Sequence, residues 1–350
     1  MELIECIIQI PPKIDKFIQD WPGLSCNEPF SAKLPNYTGI IAIGSGTSFN
    51  SVKVIEPLIR ARLGLKFETL KPADFLLSPD YYLNKEYLFL FVSQGGGSKL
   101  VYECLKVVNE FGCDTVALSE DGKSVIARES GYWIDMRSDC EPFLFRTAGY
   151  DMSAIVAAFF ALWVSGKKAE LEGRWMADLQ ASKQRMADLI GYSQTWFDIH
   201  KDKFVDTQAF FFIGARELKS LADEASIKFM EMLPVMSQSL ELEESIHGPQ
   251  NAFTRDMVFF FLVNTAGDAI KARKISKFIK HEVGGQAYII SNQSDINDFY
   301  ISEAKSVFSF LEYVTFFQVG AYILAKQKGR DLSKVVYPNL TNYIQKKFEG

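Results

Sequence analysis

Apolar runs recur along the chain, each broken by glycine or polar residues and followed by a stretch of helical spacing. Gly39-Ile-Ile-Ala-Ile43 runs into Gly44-Ser-Gly46, and Leu88 to Val92 runs into Ser93-Gln-Gly-Gly-Gly-Ser98. Residues 98–111 carry Leu100, Val101, Cys104, Leu105, Val107, Val108 and Phe111, a spacing that predicts a helix with one buried side. Thr115-Val-Ala-Leu118 predicts a third strand. Strands that alternate with helices in this way predict a parallel sheet covered on both faces.

From about Met152 to Trp196 the pattern is helical throughout, first apolar and then charged from Lys167 onward. A second alternation follows. Phe210 to Ile213 leads into Gly214-Ala-Arg-Glu217, Val258 to Val263 into Asn264-Thr-Ala-Gly267, and Tyr288 to Ser291 supplies a third strand before helix-like Leu311 to Lys328. The two halves read as a divergent structural repeat. The expected fold class is α/β, with one domain over residues 1–165 and a linker helix plus second domain over 166–350. Each is expected to be a mostly parallel sheet between helices, in the flavodoxin-like manner.

Composition narrows the function classes. The chain has 350 residues and a formal net charge of -5, so no basic footprint speaks for nucleic acid. The apolar run Ala154 to Val164 is shorter than the ~20 residues that span a bilayer, and the N-terminal stretch lacks a basic n-region. No membrane partner is expected. Cys6, Cys26, Cys104, Cys113 and Cys140 form no C-x-x-C pair, which argues against a disulfide framework and a zinc site. A reduced, cytoplasmic setting is the expectation, with no metal and no cofactor. The histidines are three: His200, His247 and His281.

In an open parallel sheet, ligands sit beyond the carboxyl ends of the strands, where loops feed helix N-termini. Unpaired N–H groups and the helix dipole favour an anion there. Gly44-Ser-Gly-Thr-Ser48 and Ser93-Gln-Gly-Gly-Gly-Ser98 both fall at such turns, and both add hydroxyls that can donate to phosphate oxygens. Each alone reads equally well as a tight strand-to-helix turn. A nucleotide fits poorly: Ser98 precedes Lys99, against the G-x-x-x-x-G-K-S/T order, and Phe49 stands where G-x-G-x-x-G requires glycine. A phosphomonoester is the expected ligand.

The loop pair GSGTS and SQGGGS resembles the sugar isomerase (SIS) domain family, whose serine-rich loops hold a sugar phosphate. Glu244-Ser-Ile-His-Gly-Pro249 is similar to the E-x-x-H-G-P segment of fructosamine-6-phosphate deglycases and of the isomerase half of glucosamine-6-phosphate synthase. Asp223 to Glu231 looks like that family's helix ending in the catalytic glutamate. The resemblance covers roughly residues 39 to 342 as two SIS domains in tandem. It implies that Ser45, Gly46, Thr47 and Ser48 line one side of a phosphate site, and Ser93, Gln94, Gly95 and Ser98 the other. It further implies that Glu231 transfers a proton and that His247, from a neighbouring subunit, opens the sugar ring. A homodimer or higher homo-oligomer with shared sites is expected.

The chain departs from the pattern at several points. Gly95 and Gly97 replace the Ser and Glu of the family's S-Q-S-G-E-T. Thr147-Ala148 stands for a T-K pair, with Arg146 before it as a candidate for a substrate carboxylate. Pro338-Asn-Leu-Thr-Asn342 lacks the lysine of P-R-x-L-x-K, and lysines come only at 346 and 347. The synthase's glutamine-hydrolysing domain is expected to be missing. These departures favour a deglycase that splits a fructosamine 6-phosphate into glucose 6-phosphate and an amine. An aldose-ketose isomerase, an amino-sugar-phosphate deaminase and a non-catalytic phosphosugar-binding regulator are the alternatives. From spacing alone, Glu224, Lys228 and Glu231 read as a solvated stripe with a weak Glu–Lys pair. Their match, in spacing to His-Gly-Pro, to the family's pattern implies instead a proton-transferring Glu231, and moving a proton between C1 and C2 needs one such group.

Overall fold

The computed structural model of the protein describes residues 2–21, 33–139, 141–302 and 306–348. Ten strands form two sheets: β1 (Gly39–Gly44), β2 (Lys66–Leu70), β3 (Tyr87–Val92), β4 (Thr115–Ser119) and β5 (Tyr132–Asp135) in one, β6 (Ala209–Gly214), β7 (Met236–Glu241), β8 (Met257–Val263), β9 (Gln286–Ser291) and β10 (Phe299–Tyr300) in the other. Every pairing within the two sheets is parallel. The orders are β2-β1-β3-β4-β5 and, read from its other edge, β7-β6-β8-β9-β10. The second half therefore repeats the first strand for strand. Both orders are the doubly wound, flavodoxin-like one, which reverses between the first and third strands of each half.

Each sheet is apolar on both faces because helices cover both. In the first, Ile41, Ile43, Phe89, Phe91 and Ala117 share one face and pack with Val101, Cys104, Leu105 and Val108 of the Lys99–Phe111 helix. In the second, Phe211, Ile213, Phe259 and Phe261 meet Ala269, Ala272 and Ile275 of the Ala266–Phe278 helix. The opposite face of the second sheet is aromatic. Phe212 lies 4.8 Å from Phe229 and 5.3 Å from Phe317, ring centre to ring centre, in edge-on contacts. Full burial of a phenylalanine contributes about 1.5–3 kcal/mol. This face therefore clamps Phe229 and fixes the rotation of the Lys219–Met232 helix, which carries the next residues of interest.

The chain divides into two compact units, one of Pro12–Ala177 with Lys334–Gly350, the other of Met1–Pro11 with Asp178–Ser333. This partition differs from a cut at 165/166 at both ends of the chain. The helical stretch expected over 152–196 is two helices, Ala148–Val164 and Lys168–His200. Gly166, at φ +70°, ends the first in a conformation that side chains disfavour. No helix among the described residues is long and apolar enough to cross a membrane. Cys6, Cys104 and Cys113 are buried free thiols, and Cys26 and Cys140 lie outside the described residues.

Candidate functional site

In the first sheet the strand order reverses between β1 and β3, and their register sets Gly44 opposite Val92. The two expected phosphate loops thus leave neighbouring strands at the same level. Ser45 and Gly46 are exposed, and Thr47 and Ser48 are half-buried. A Cβ placed on Gly46 or Gly95 would meet nothing within 4 Å, so the space over both is open. Ser93 is buried, and its hydroxyl pairs with that of Ser98 at 3.0 Å. The middle glycine of the triplet has a different reason from its neighbours. Gly96 takes φ +61°, and a Cβ there would fall 1.9 Å from Ser124 Oγ. Close packing on the segment that starts the Val125–Glu129 helix requires that glycine, whereas Gly95 leaves room for a ligand.

Gln94 is buried, and its amide is committed to protein partners. Its Nε2 donates to Glu120 Oε1 and to Glu141 Oε2, the latter at 3.2 Å. Glu141 is a buried hub that sequence reasoning did not single out. Its Oε1 accepts from Thr147 N (2.9 Å), Thr147 Oγ1 (2.7 Å) and Ala148 N (3.0 Å), and its Oε2 from Gly149 N at 2.9 Å. One carboxylate therefore caps the Ala148–Val164 helix and holds the SQGGGS loop. A negative charge at a helix N-terminus is also electrostatically favoured. Arg146 donates from Nη1 to the Glu141 carbonyl at 2.9 Å.

The equivalent reversal in the second sheet lies between β6 and β8. Its loops are closed by their own side chains. Asn264 Nδ2 donates to Glu217 Oε1 at 2.7 Å, and Arg216 Nε to Asp268 Oδ2 at 2.8 Å. The repeat kept the fold but carries hydroxyl-rich loops only in its first copy.

Glu231 lies in the second unit on the Lys219–Met232 helix, with Glu224 and Lys228 on the same face. That face is not solvated. Glu224 and Lys228 are fully buried, and about 30% of the Glu231 side chain remains exposed. Lys228 Nζ sits 3.3 Å from Glu224 Oε1 and 2.5 Å from Glu231 Oε1. Burial alone would lower the lysine's pKa, but the two carboxylates outweigh it and hold the ammonium charged. For Glu231, burial pushes the pKa up, the Lys228 ammonium pulls it down, and the Glu224 charge adds to the rise; the net direction is upward. A glutamate so placed takes and returns a proton at less acidic pH than an ordinary one.

His247 follows the short Glu244–Ile246 turn, whose first amides are held by Glu241: Glu244 N donates to its Oε2 at 3.2 Å. The imidazole is about 60% exposed, and its Nε2 pairs with Glu243 Oε1 at 3.1 Å. Glu243 also pairs with Lys271. His247 therefore bonds to Glu243 and not to Glu231. His200 stacks on Trp196 with ring centres 4.1 Å apart, as a packing element. Among the described residues no group of three or more His, Cys, Asp or Glu is placed to hold a metal.

No family model matches the chain. Among curated proteins it is similar to the isomerizing glutamine–fructose-6-phosphate aminotransferase of Fusobacterium nucleatum, 24% identical over 255 residues, which is 70% of this chain and 42% of that protein. The corresponding enzyme of Sulfolobus acidocaldarius is 22% identical over 349 residues, 96% of this chain and 55% of that protein. The chain thus spans about half the length of these relatives. Among solved structures, a Clostridium difficile 630 protein provisionally assigned as a phosphosugar isomerase superposes with a TM-score of 0.86 at 22% identity, over 98% of this chain and 97% of that one. The C-terminal domain of glucosamine-fructose-6-phosphate aminotransferase from Francisella tularensis gives 0.81 at 17% identity, over 94% and 96%. The expected fold class, two parallel α/β sheets in tandem, each between helices, is the one observed, and these solved structures share it.

Proposed function

We propose that this chain, whose fold is that of tandem sugar isomerase domains, is an enzyme acting on a sugar 6-phosphate, and specifically a fructosamine-6-phosphate deglycase. The observation that carries the reading is Glu231, a carboxylate with raised pKa held by a buried lysine. Rearranging a 1-amino ketose needs a group that removes a proton from C1 and delivers one to C2. In this reading His247 opens the ring, and Glu231 moves the proton. The C2 ketone becomes a C2 hydroxyl and the C1–N bond an imine. One water then adds at C1, releasing the amine and leaving glucose 6-phosphate, with no oxidant or reductant consumed. Phosphate binding is assigned to Ser45, Gly46, Thr47, Ser48, Ser93, Gly95 and Ser98. Gln94 takes the role of bracing the loop, because its amide is already bound to Glu120 and Glu141. The exposed position of His247 supports a homodimer in which it serves a neighbouring copy.

Simple aldose-ketose isomerization is the second reading, favoured by the isomerizing activity named for the curated relatives. It needs the same Glu231 and differs in releasing no amine. The deciding experiment supplies purified protein with a fructosamine 6-phosphate and follows free amine and glucose 6-phosphate. Equal release of both is expected, and Glu231→Gln should slow it by about 10²–10⁴, the range for a positioned acid or base. Faster interconversion of glucose and fructose 6-phosphates than any amine release would establish the isomerase instead. Near-normal turnover by Glu231→Gln would remove Glu231 from the chemistry.

A further inference from the structure

We infer that Lys347 is a phosphate-binding residue, supplying to the SQGGGS loop the positive charge that the loop itself lacks. The inference rests on the phosphate reading of that loop. Residues 93–98 contain no charged side chain, and glycine stands at 95, 96 and 97. The segment Lys334–Gly350 belongs to the same compact unit as the loop. Lys99 N donates to Lys346 O at 3.1 Å, Phe348 N donates to Gly97 O at 2.9 Å, and Ser98 and Lys347 form an antiparallel bridge. Bonds from the flanking residues, with none between the facing pair, define the narrow type of antiparallel pairing, in which opposed side chains come closest.

A Cβ at Gly97 would stand 4.0 Å from Lys347 Cβ, so the base of the lysine adjoins the position where the loop has no side chain. The Phe348 ring packs on Tyr102 of the Lys99–Phe111 helix, 4.8 Å centre to centre, and pins the strand in this register. Lys347 is thereby paired with Ser98, whose hydroxyl bonds to that of Ser93. The same pairing removes a donor: the Lys99 amide, first in its helix, is bound to the strand's carbonyl and is closed to an anion. A phosphomonoester carries between one and two negative charges at neutral pH, and a lysine ammonium answers them as a mobile point charge. Lys346 alternates to the other side of the strand and serves as its matched control.

The test is calorimetric titration of the full chain with fructose 6-phosphate and with fructose. Lys347→Met should weaken fructose 6-phosphate binding about 10–100-fold, as loss of a bond to a charged group does. It should leave fructose binding and the melting temperature unchanged. Lys347→Arg should retain affinity, and Lys346→Met should stay within about twofold of the native protein, because its side chain faces away. Native affinity in Lys347→Met, or an equal loss in Lys346→Met, overturns the inference while leaving the phosphate reading intact. A native protein that binds fructose and fructose 6-phosphate alike sinks the phosphate reading and the inference together.

Discussion

Replacing Glu141 by Gln changes one oxygen to an NH2 group and little else, so its cost can be worked from the hydrogen bonds. Five donors converge on the two carboxylate oxygens, all in a buried setting. A glutamine keeps one acceptor oxygen, which can serve Thr147 N, Thr147 Oγ1 and Ala148 N. Its NH2 then confronts Gly149 N and Gln94 Nε2, two donors facing a donor. A buried donor left unmet costs about 1–3 kcal/mol. Gln94 retains Glu120 and lies at the low end of that range. Loss of the negative charge at the start of a 17-residue helix adds about 0.3–2 kcal/mol. The expected destabilisation is about 2–6 kcal/mol, and at a urea slope of about 2 kcal/mol/M the midpoint should fall by about 1–3 M. Tryptophan fluorescence suits the assay, because Trp21, Trp133, Trp163 and Trp175 all belong to the unit that contains Glu141, and Trp196 to the other. A midpoint within about 0.3 M of the native value would mean that the carboxylate is not the hub described, and the argument for loop bracing would go with it.

Three further outcomes are expected. Lys228→Met strands two carboxylates without their cation and should cost about 3–5 kcal/mol, a deficit that shrinks as pH falls and the carboxylates protonate; denaturant titrations at two pH values check it. In the proposed role Glu231 acts as the carboxylate; because its pKa is raised, its protonation sets in above the ordinary 4.5, so the acid limb of kcat/KM should lie above that value, and an unshifted limb contradicts the burial argument. Glu231→Gln and His247→Asn proteins, each inactive, should recover about a quarter of native activity when mixed, since random exchange makes about half the dimers mixed with one intact pocket each; no recovery despite mass-verified exchange would place both residues' action within one chain.

What the sequence disclosed depended on burial symmetry. The strands read from it, β1, β3, β4, β6, β8 and β9, are central, covered on both faces, and stand out as unbroken apolar runs. The strands it did not reveal, β2, β5, β7 and β10, are the four edges. Met236-Ser-Gln-Ser-Leu-Glu241, half exposed, has no apolar run to find. Spacing showed that Glu224, Lys228 and Glu231 share a face, but not that β6, β7 and the Phe310–Gln327 helix pack on their helix. Local charge pattern cannot tell a solvated stripe from a buried triad. Gly96 was legible as unusual, yet its reason, Ser124, comes from a segment beyond the next strand. The pairing of Ser98 with Lys347 leaves no local trace at all, because nothing in residues 93–98 names a partner so distant along the chain.

The crossed membership of the chain ends has a consequence for biosynthesis. Residues 334–350 belong with the first sheet, although they are synthesised after every strand of the second. As the chain emerges, Glu141, the capped helix and β1 through β5 can assemble early, while the strand that pairs with Gly97 and Ser98 is still to be made. The glycine loop therefore spends most of translation without its neighbour and acquires its final hydrogen-bond partners last. Translation order then acts as a timer on the loop, holding the first unit short of its finished form until the second has been spelled out.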